Sequence, residues 1–362
     1  MPDQAMPRKQ LYYLDNLKVL LIMLVVMHHS AEAYTAGQSW GIVSPERTAL
    51  LQPLMGINSS FFMGLFFLIS GYFVPKSYAS YGTGLFLWKK IQRLLIPALF
   101  VVAVVLPLSF WLCAPGAGFW RFYLQDWWSG KYFNFGHMWF VLDLFFYCLV
   151  YGLLMAVRRR PATALRPPGH AAILLFAVLL GIATTAVNAI WPINTWLCFH
   201  LIEPYHAPQY IFLFAVGIAA GKHQWFQAMP SRLGYIWFGA AVFFMALFVA
   251  YFAVTAAMHE PFFHPVPFIW WGSFFCTAMC TGLVVVFREQ LNKTNALLAV
   301  LSGNSYGVYL FHIFFVFLAD RMLLNWKAPV VVKFLCTFLF VAVISNILVW
   351  LLRMVRPVRK FI

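Results

Sequence analysis

The chain has 362 residues, of which 63% are hydrophobic and only 10% charged, with a formal net charge of +15. A water-soluble domain of this length carries far more charge on its surface. Several apolar runs of about 20 residues, each long enough to cross ~30 Å of hydrocarbon, exclude a nucleic-acid-binding reading of the basic balance and predict an all-α polytopic membrane protein.

Ten spans can be drawn, at 12–34, 49–73, 86–111, 137–157, 171–191, 208–222, 233–257, 266–288, 296–319 and 329–352. With the N-terminus inside, nineteen of the 25 Lys and Arg fall on the inner side, among them Arg8, Lys9, Arg158, Arg159 and Arg160. Only Arg47, Arg121, Lys131, Arg321, Lys327 and Lys333 fall outside. That asymmetry follows the positive-inside rule and predicts both termini in the cytoplasm. The polar start, 1–10, leads straight into a long span, so no cleavable leader is expected. The six cysteines lie mostly in or at the ends of apolar spans and suggest neither a disulfide framework nor a zinc site.

The first span, 14–34, carries Asp15, Lys18, His28, His29 and Glu32 inside an apolar run. Ionisable residues at membrane depth are costly and mark functional sites by default. Lys18 and His29 are eleven positions apart, three turns, so they share a helix face about 16 Å apart along the axis. Glu32 follows His29 by three positions and His28 by four, within reach of either. His28 and His29 point ~100° apart, so one of them is expected to face the site, and the Lys18 spacing favours His29. The pattern predicts a charged ligand anchored at one end and proton chemistry at the other.

In the second span Gly64, Ser70 and Gly71 are small enough for close helix packing. A short inner loop is expected before the third span, which opens with Lys89, Lys90 and Arg93 one turn ahead of Pro97. Such a cluster serves topology and lipid contact or, beside a helix N-terminus, an anion site for phosphate groups. The loop 112–136 is aromatic, as in an interfacial belt or a sugar-binding surface. His137 lies at the outer mouth of the fourth span, ahead of Trp139, and Asp143 sits well inside it, a structural partner or a catalytic group. The outer loop beyond holds His200, Glu203 and His206; Pro204 interrupts any helix through them, so no metal site is expected. Glu203 suits a wall of an outer acceptor pocket. In the ninth span His312 lies well inside the membrane, as a hydrogen-bonded core residue or a site residue. No repeat or nucleotide-binding loop is evident, and one domain over 1–362 is expected.

Five stretches together, LDNLKVLLIMLVVMHH, FFMGLFFLISGYF, KKIQRLLIP, HMWFVLDLFFY and SYGVYLFH, resemble the membrane acyltransferase-3 family, in family order from residue 14 to 312. The resemblance implies transfer of an acetyl or succinyl group from cytoplasmic acyl-coenzyme A to a hydroxyl of an extracytoplasmic glycan or small metabolite. It implies a location in the cytoplasmic membrane of a bacterial cell, and the form of the fourth-span stretch looks closer to the branch containing periplasmic glucan succinyltransferases. The family's basic residue, ten positions and histidine carry over to Lys18 and His29, with Lys where many members have Arg. Its basic residues before the third-span proline carry over to Lys90 and Arg93. Many members have a Trp-Ser-Leu pattern with a glutamate; this chain has Trp139, Phe140, Val141, Leu142 and Asp143 there. The expected site is therefore His29 as general base, oriented by Glu32 or Asp143. Lys18, Lys89, Lys90 and Arg93 hold the coenzyme A phosphates, with the pantetheine arm running past Gly71, and His137, Trp139, Glu203 and His312 line the acceptor side. Neither a metal nor nucleic acid is expected as a partner. A transporter or flippase is the competing class, since it too needs intramembrane charge and a polar cavity.

Overall fold

The computed structural model describes residues 11–114, 116, 118–157, 165–260 and 262–361. Arg8, Lys9, Arg158, Arg159 and Arg160, read above as inner-side charge, lie outside the described residues. The long helices are α1 (Tyr12–Glu32), α2 (Gln52–Lys90), α3 (Trp139–Val157), α4 (His170–Asn188), α5 (Ala207–His223), α6 (Ser231–Met258), α7 (Pro265–Gln290), α8 (Ala296–Leu323) and α9 (Val330–Met354). Among the described residues there is no strand, and eight helical runs are long and apolar enough to cross a membrane. Helix α5, at 17 residues, falls just short of that length. One continuous run, Ala49–Trp111, contains two of the ten expected spans.

The short loop expected between those two spans is replaced by a single residue. Gly82 takes φ 65°, ψ 174°, a conformation open essentially to glycine alone, while helical bonding continues on both sides. The chain doubles back there. Lys18 lies 4.7 Å from the ring of Phe73 and within range of the charge of Arg93, two residues that a straight helix would hold about 30 Å apart. The returning strand of helix, 91–111, alternates π turns (Ile91–Leu95, Val101–Val105) with α turns that carry Pro97 and Pro107. Proline has no N–H for the carbonyl four residues back, which leaves that of Arg93 free opposite Pro97. The hydroxyl of Tyr306 on α8 donates to it at 2.7 Å, as apolar surroundings demand of a broken helix.

Helix α1 runs through the middle of the bundle, packed by α2, α7, α8 and α9. The most extensive helix pair is α2 with α5, and its glycines explain it. A Cβ on Gly71 would stand 2.3 Å from the carbonyl oxygen of Phe214, and one on Gly217 would stand 2.2 Å from that of Leu68. The backbones touch because neither residue has a side chain. Gly71 therefore packs a helix contact and leaves no room for a pantetheine arm. The start of α1 is tied to the α7–α8 connection, where the Asn16 amide donates to the carbonyls of Leu291 and Lys293 at 2.7 and 2.8 Å. Arg353, near the end of α9, donates to Asn304 at 3.0 Å. Both described ends of the chain thus lie at the end of the bundle that holds Lys18 and Arg93, called the basic end below.

Candidate active site

At the opposite end, a cavity of about 840 Å³ is sunk among α1, α2, α3 and α8 and walled above by loops. The last turn of α1 supplies its floor. His28, His29 and Glu32 all line it, so the expectation that only one histidine faces the site is corrected: the cavity wraps around the helix end and takes in both directions. The Glu32 carboxylate lies between the two rings, 3.5 Å from His28 Nε2 and 3.9 Å from His29 Nδ1. The two rings differ in their neighbours. His28 packs on Phe62, ring centres 5.3 Å apart. His29 meets Trp40, at 5.7 Å and nearly parallel, and His312, at 5.3 Å.

His312 is fully buried on α8, and its Nδ1 lies 2.7 Å from the Tyr309 carbonyl and 3.2 Å from that of Val308. A carbonyl only accepts, so Nδ1 carries the proton, and in the neutral ring Nε2 is a bare lone pair. His137 sits 4.8 Å from His312, ring to ring. Its Nε2 donates to the Leu310 carbonyl at 3.3 Å, which leaves Nδ1 as its lone pair. The Tyr309 hydroxyl donates to the His137 carbonyl and pins the short Gly136–Met138 turn to α8. Neither free nitrogen has a hydrogen-bond partner among the described residues, nor does His29 Nδ1, whose neighbour Glu32 stands at 3.9 Å. Three imidazoles from three elements, brought together from positions up to 283 residues apart, therefore present unpaired nitrogens in one place.

The far wall is aromatic. Trp139 stacks on Tyr210 at 5.2 Å, and Tyr210 stacks on His206 at 5.5 Å. His206 Nδ1 donates to Glu203 Oε2 at 2.7 Å, and the Asn194 N–H donates to Oε1 at 3.0 Å. Burial pushes the Glu203 carboxyl up, but the His206 charge and hydrogen bond, the Asn194 amide and His200 outweigh it, and the group rests below its ordinary value. His200 is likewise held below its ordinary value, in its case by its own burial, against the pull of Glu203. All four residues line the same cavity as His29.

A large apolar-walled cavity with a histidine–carboxylate floor suits acid–base chemistry on a hydroxyl. The acyltransferase-3 family profile, described as an acyltransferase domain, matches residues 11–354. The chain belongs to that family. No curated protein and no solved structure matches it.

In this membrane acyltransferase the other expected residues fall into two groups. At the basic end, Lys18 pairs with Asp15 at 3.3 Å and lies over Phe73. Lys89 lies 3.7 Å over the ring of Tyr81, and Lys90 5.3 Å over that of Phe86. Lys18 and Arg93 come close enough to sense each other's charge. None of the four lines the cavity, whose lining on α1 ends at Val25, two turns short of Lys18. Asp143, in turn, does not join His29. It lies one turn beyond Trp139, off the cavity lining and in electrostatic range of Tyr147, Tyr210 and Tyr309. Glu32 alone is left beside the α1 histidines.

Two site residues were not singled out from the sequence. Trp40 lies in the loop after α1, and Asp320 lies on α8 one residue past the span drawn there. Among the described residues, no three His, Cys, Asp or Glu side chains are grouped so as to hold a metal ion.

Proposed function

We propose that this membrane acyltransferase moves an acetyl or succinyl group from coenzyme A at the basic end to a hydroxyl that enters the cavity from the opposite side. The acceptor is a glycan or another hydroxylated molecule of the cell envelope. The observation that carries this reading is the placement of His29 and Glu32 on the floor of the cavity, on the same helix that carries Lys18 near its start at the basic end. His29 is the general base. It takes the proton as the hydroxyl oxygen bonds to the thioester carbonyl carbon, and it returns that proton to the sulfur as the carbon–sulfur bond breaks. Glu32 steadies the ring. His137 and His312 offer hydrogen-bond acceptors beside it, and Trp139 and Glu203 form the wall on which the acceptor rests.

Lys18, Lys89, Lys90 and Arg93 bind the donor phosphates. A compact ammonium and a planar guanidinium serve this differently, the Lys as a point charge and the Arg as a fork. The donor arm then has to open the interval between Lys18 and Val25, where Leu21 and Ile22 are buried.

Purified protein in detergent, incubated with radiolabelled acetyl- or succinyl-coenzyme A and envelope glycans, tests the reading. Label moves to the glycan in the wild type, and His29→Ala loses about 10²–10⁴-fold of the rate while remaining folded. His28→Ala keeps most of it. Full activity in the His29 variant removes the assignment.

A further inference from the structure

We infer that Asp320 is a positioning residue for His29, acting through Trp40. This rests on His29 being the base. Asp320 is only 3% exposed, on α8, and its Oδ2 accepts the Trp40 indole N–H at 3.1 Å. Oδ1 has no partner among the described residues. A carboxylate buried at this depth is costly; the Trp40 indole N–H donates to it, and the Tyr34 hydroxyl, which also meets Thr337 at 2.9 Å, lies within hydrogen-bonding range of it. The return is in the placement of the indole. Trp40 lies 17° from parallel with the His29 ring, stacked at 5.7 Å. Its other neighbour is Phe317, one turn before Asp320, at 4.9 Å.

The loop that carries Trp40 is held at its base by other contacts, none of which reaches the indole. Ser44 N–H donates to Ala33 O at 3.0 Å, Thr48 N–H to Tyr34 O at 2.9 Å, and Glu46 accepts from Lys333 at 2.8 Å. Next to Trp40, Gly41 presses onto α8 so closely that a Cβ there would stand 2.7 Å from Cys113 Sγ and 3.1 Å from the ring of Phe317. The hydrogen bond to Asp320 therefore sets the tilt of the indole, and the indole sets the side of the cavity on which the His29 ring rests. A misplacement of a base by about 1 Å costs up to two orders of magnitude in rate.

The test uses four variants of the full chain in detergent. Trp40→Phe keeps a ring and drops the N–H; Asp320→Ala drops the acceptor; Asp320→Asn keeps an acceptor oxygen; the last combines Trp40→Phe with Asp320→Ala. The expected result is a kcat lowered about 10–100-fold in both Trp40→Phe and Asp320→Ala, with the KM for acyl-coenzyme A unchanged. Asp320→Asn restores most of the rate, and the double variant is no slower than either single one. Independently of activity, diethyl pyrocarbonate modifies His29, read by mass spectrometry, several-fold faster in Trp40→Phe and Asp320→Ala than in the wild type.

Wild-type kcat and labelling in these variants, additive losses in the double variant, or equal losses in Asp320→Asn and Asp320→Ala overturn the inference. Should Asp320→Ala fail to fold, Trp40→Phe decides alone. A wild-type protein that transfers no acyl group from either donor defeats the proposed function, and the labelling rates still decide the role of Asp320.

Discussion

Glu203 lies outside the spans, and its ionised form is favoured by its neighbours. Its carboxyl is held below its ordinary value of 4.5 in the folded protein. The linkage therefore runs one way: its contribution to stability is complete above about pH 4.5 and is lost as pH falls through the lower folded value. Glu203→Gln is expected to lower the melting temperature near neutral pH and to flatten its decline with acid. A variant whose acid decline matches the wild type would assign that decline to other groups. The α1 histidines and Glu32 were legible in the sequence because charge in an apolar run announces itself. Asp320 was not, because a span drawn by hydropathy stops where charge begins, at 319, and leaves it looking like a loop residue. Its partner Trp40 is 280 positions away, and no local pattern links them. His137 and His312 were visible as residues, but their fixed protons depend on which carbonyl each nitrogen meets. Asp143 was visible as a carboxylate inside a span, but its place off the cavity lining follows from the helix packing.

Among the elements, the helices themselves were legible from apolar run length, and the manner of their joining was not. Gly82 replaces a loop because one residue free to adopt φ 65° can reverse a helix, and nothing in hydropathy registers that. The proline at 97 predicts a defect, but its repair by Tyr306 from α8 is a tertiary event. Tyr306→Phe removes the side-chain donor to the Arg93 carbonyl and is expected to cost about 1–3 kcal/mol of stability, read as a lower melting temperature. Gly71→Ala drives a methyl against the α5 backbone and is expected to cost about 1–3 kcal/mol, with α2 and α5 forced apart. An unchanged melting temperature would show that the two helices are free to separate. Lys333 is fully buried at the start of α9, and its ammonium donates to Glu46 at 2.8 Å. Removing one partner of such a pair strands the other charge, whereas an apolar residue of similar volume does not. Glu46→Ala is therefore expected to lower the melting temperature more than Lys333→Met.

Across the whole molecule, the basic cluster and the cavity sit at two different ends. The basic end collects Lys18, Lys89, Lys90, Arg93, Arg288 and Arg353, and the other end has the cavity with Glu32, Glu203 and the histidines. If the basic cluster binds the donor, the double variant Lys90→Ala, Arg93→Ala raises the KM for acyl-coenzyme A and leaves acceptor binding alone. Added salt is expected to weaken donor binding in the wild type, and less so in the variant, because exposed charges are screened. Equal donor affinity in the two proteins would leave those residues as anchors of topology.

The stretch of α1 between Val25 and Lys18 has a further consequence for the cell. A continuous water file through the bundle would let protons run down the membrane potential, worth about 2.3 kcal/mol per elementary charge at 100 mV. Leu21 and Ile22, packed where the cavity lining ends, act as insulation. On the proposed reading, a thioester from the basic end reaches His29 once those apolar side chains move aside. Thinning that plug, as in Ile22→Gly, would turn an enzyme into a leak.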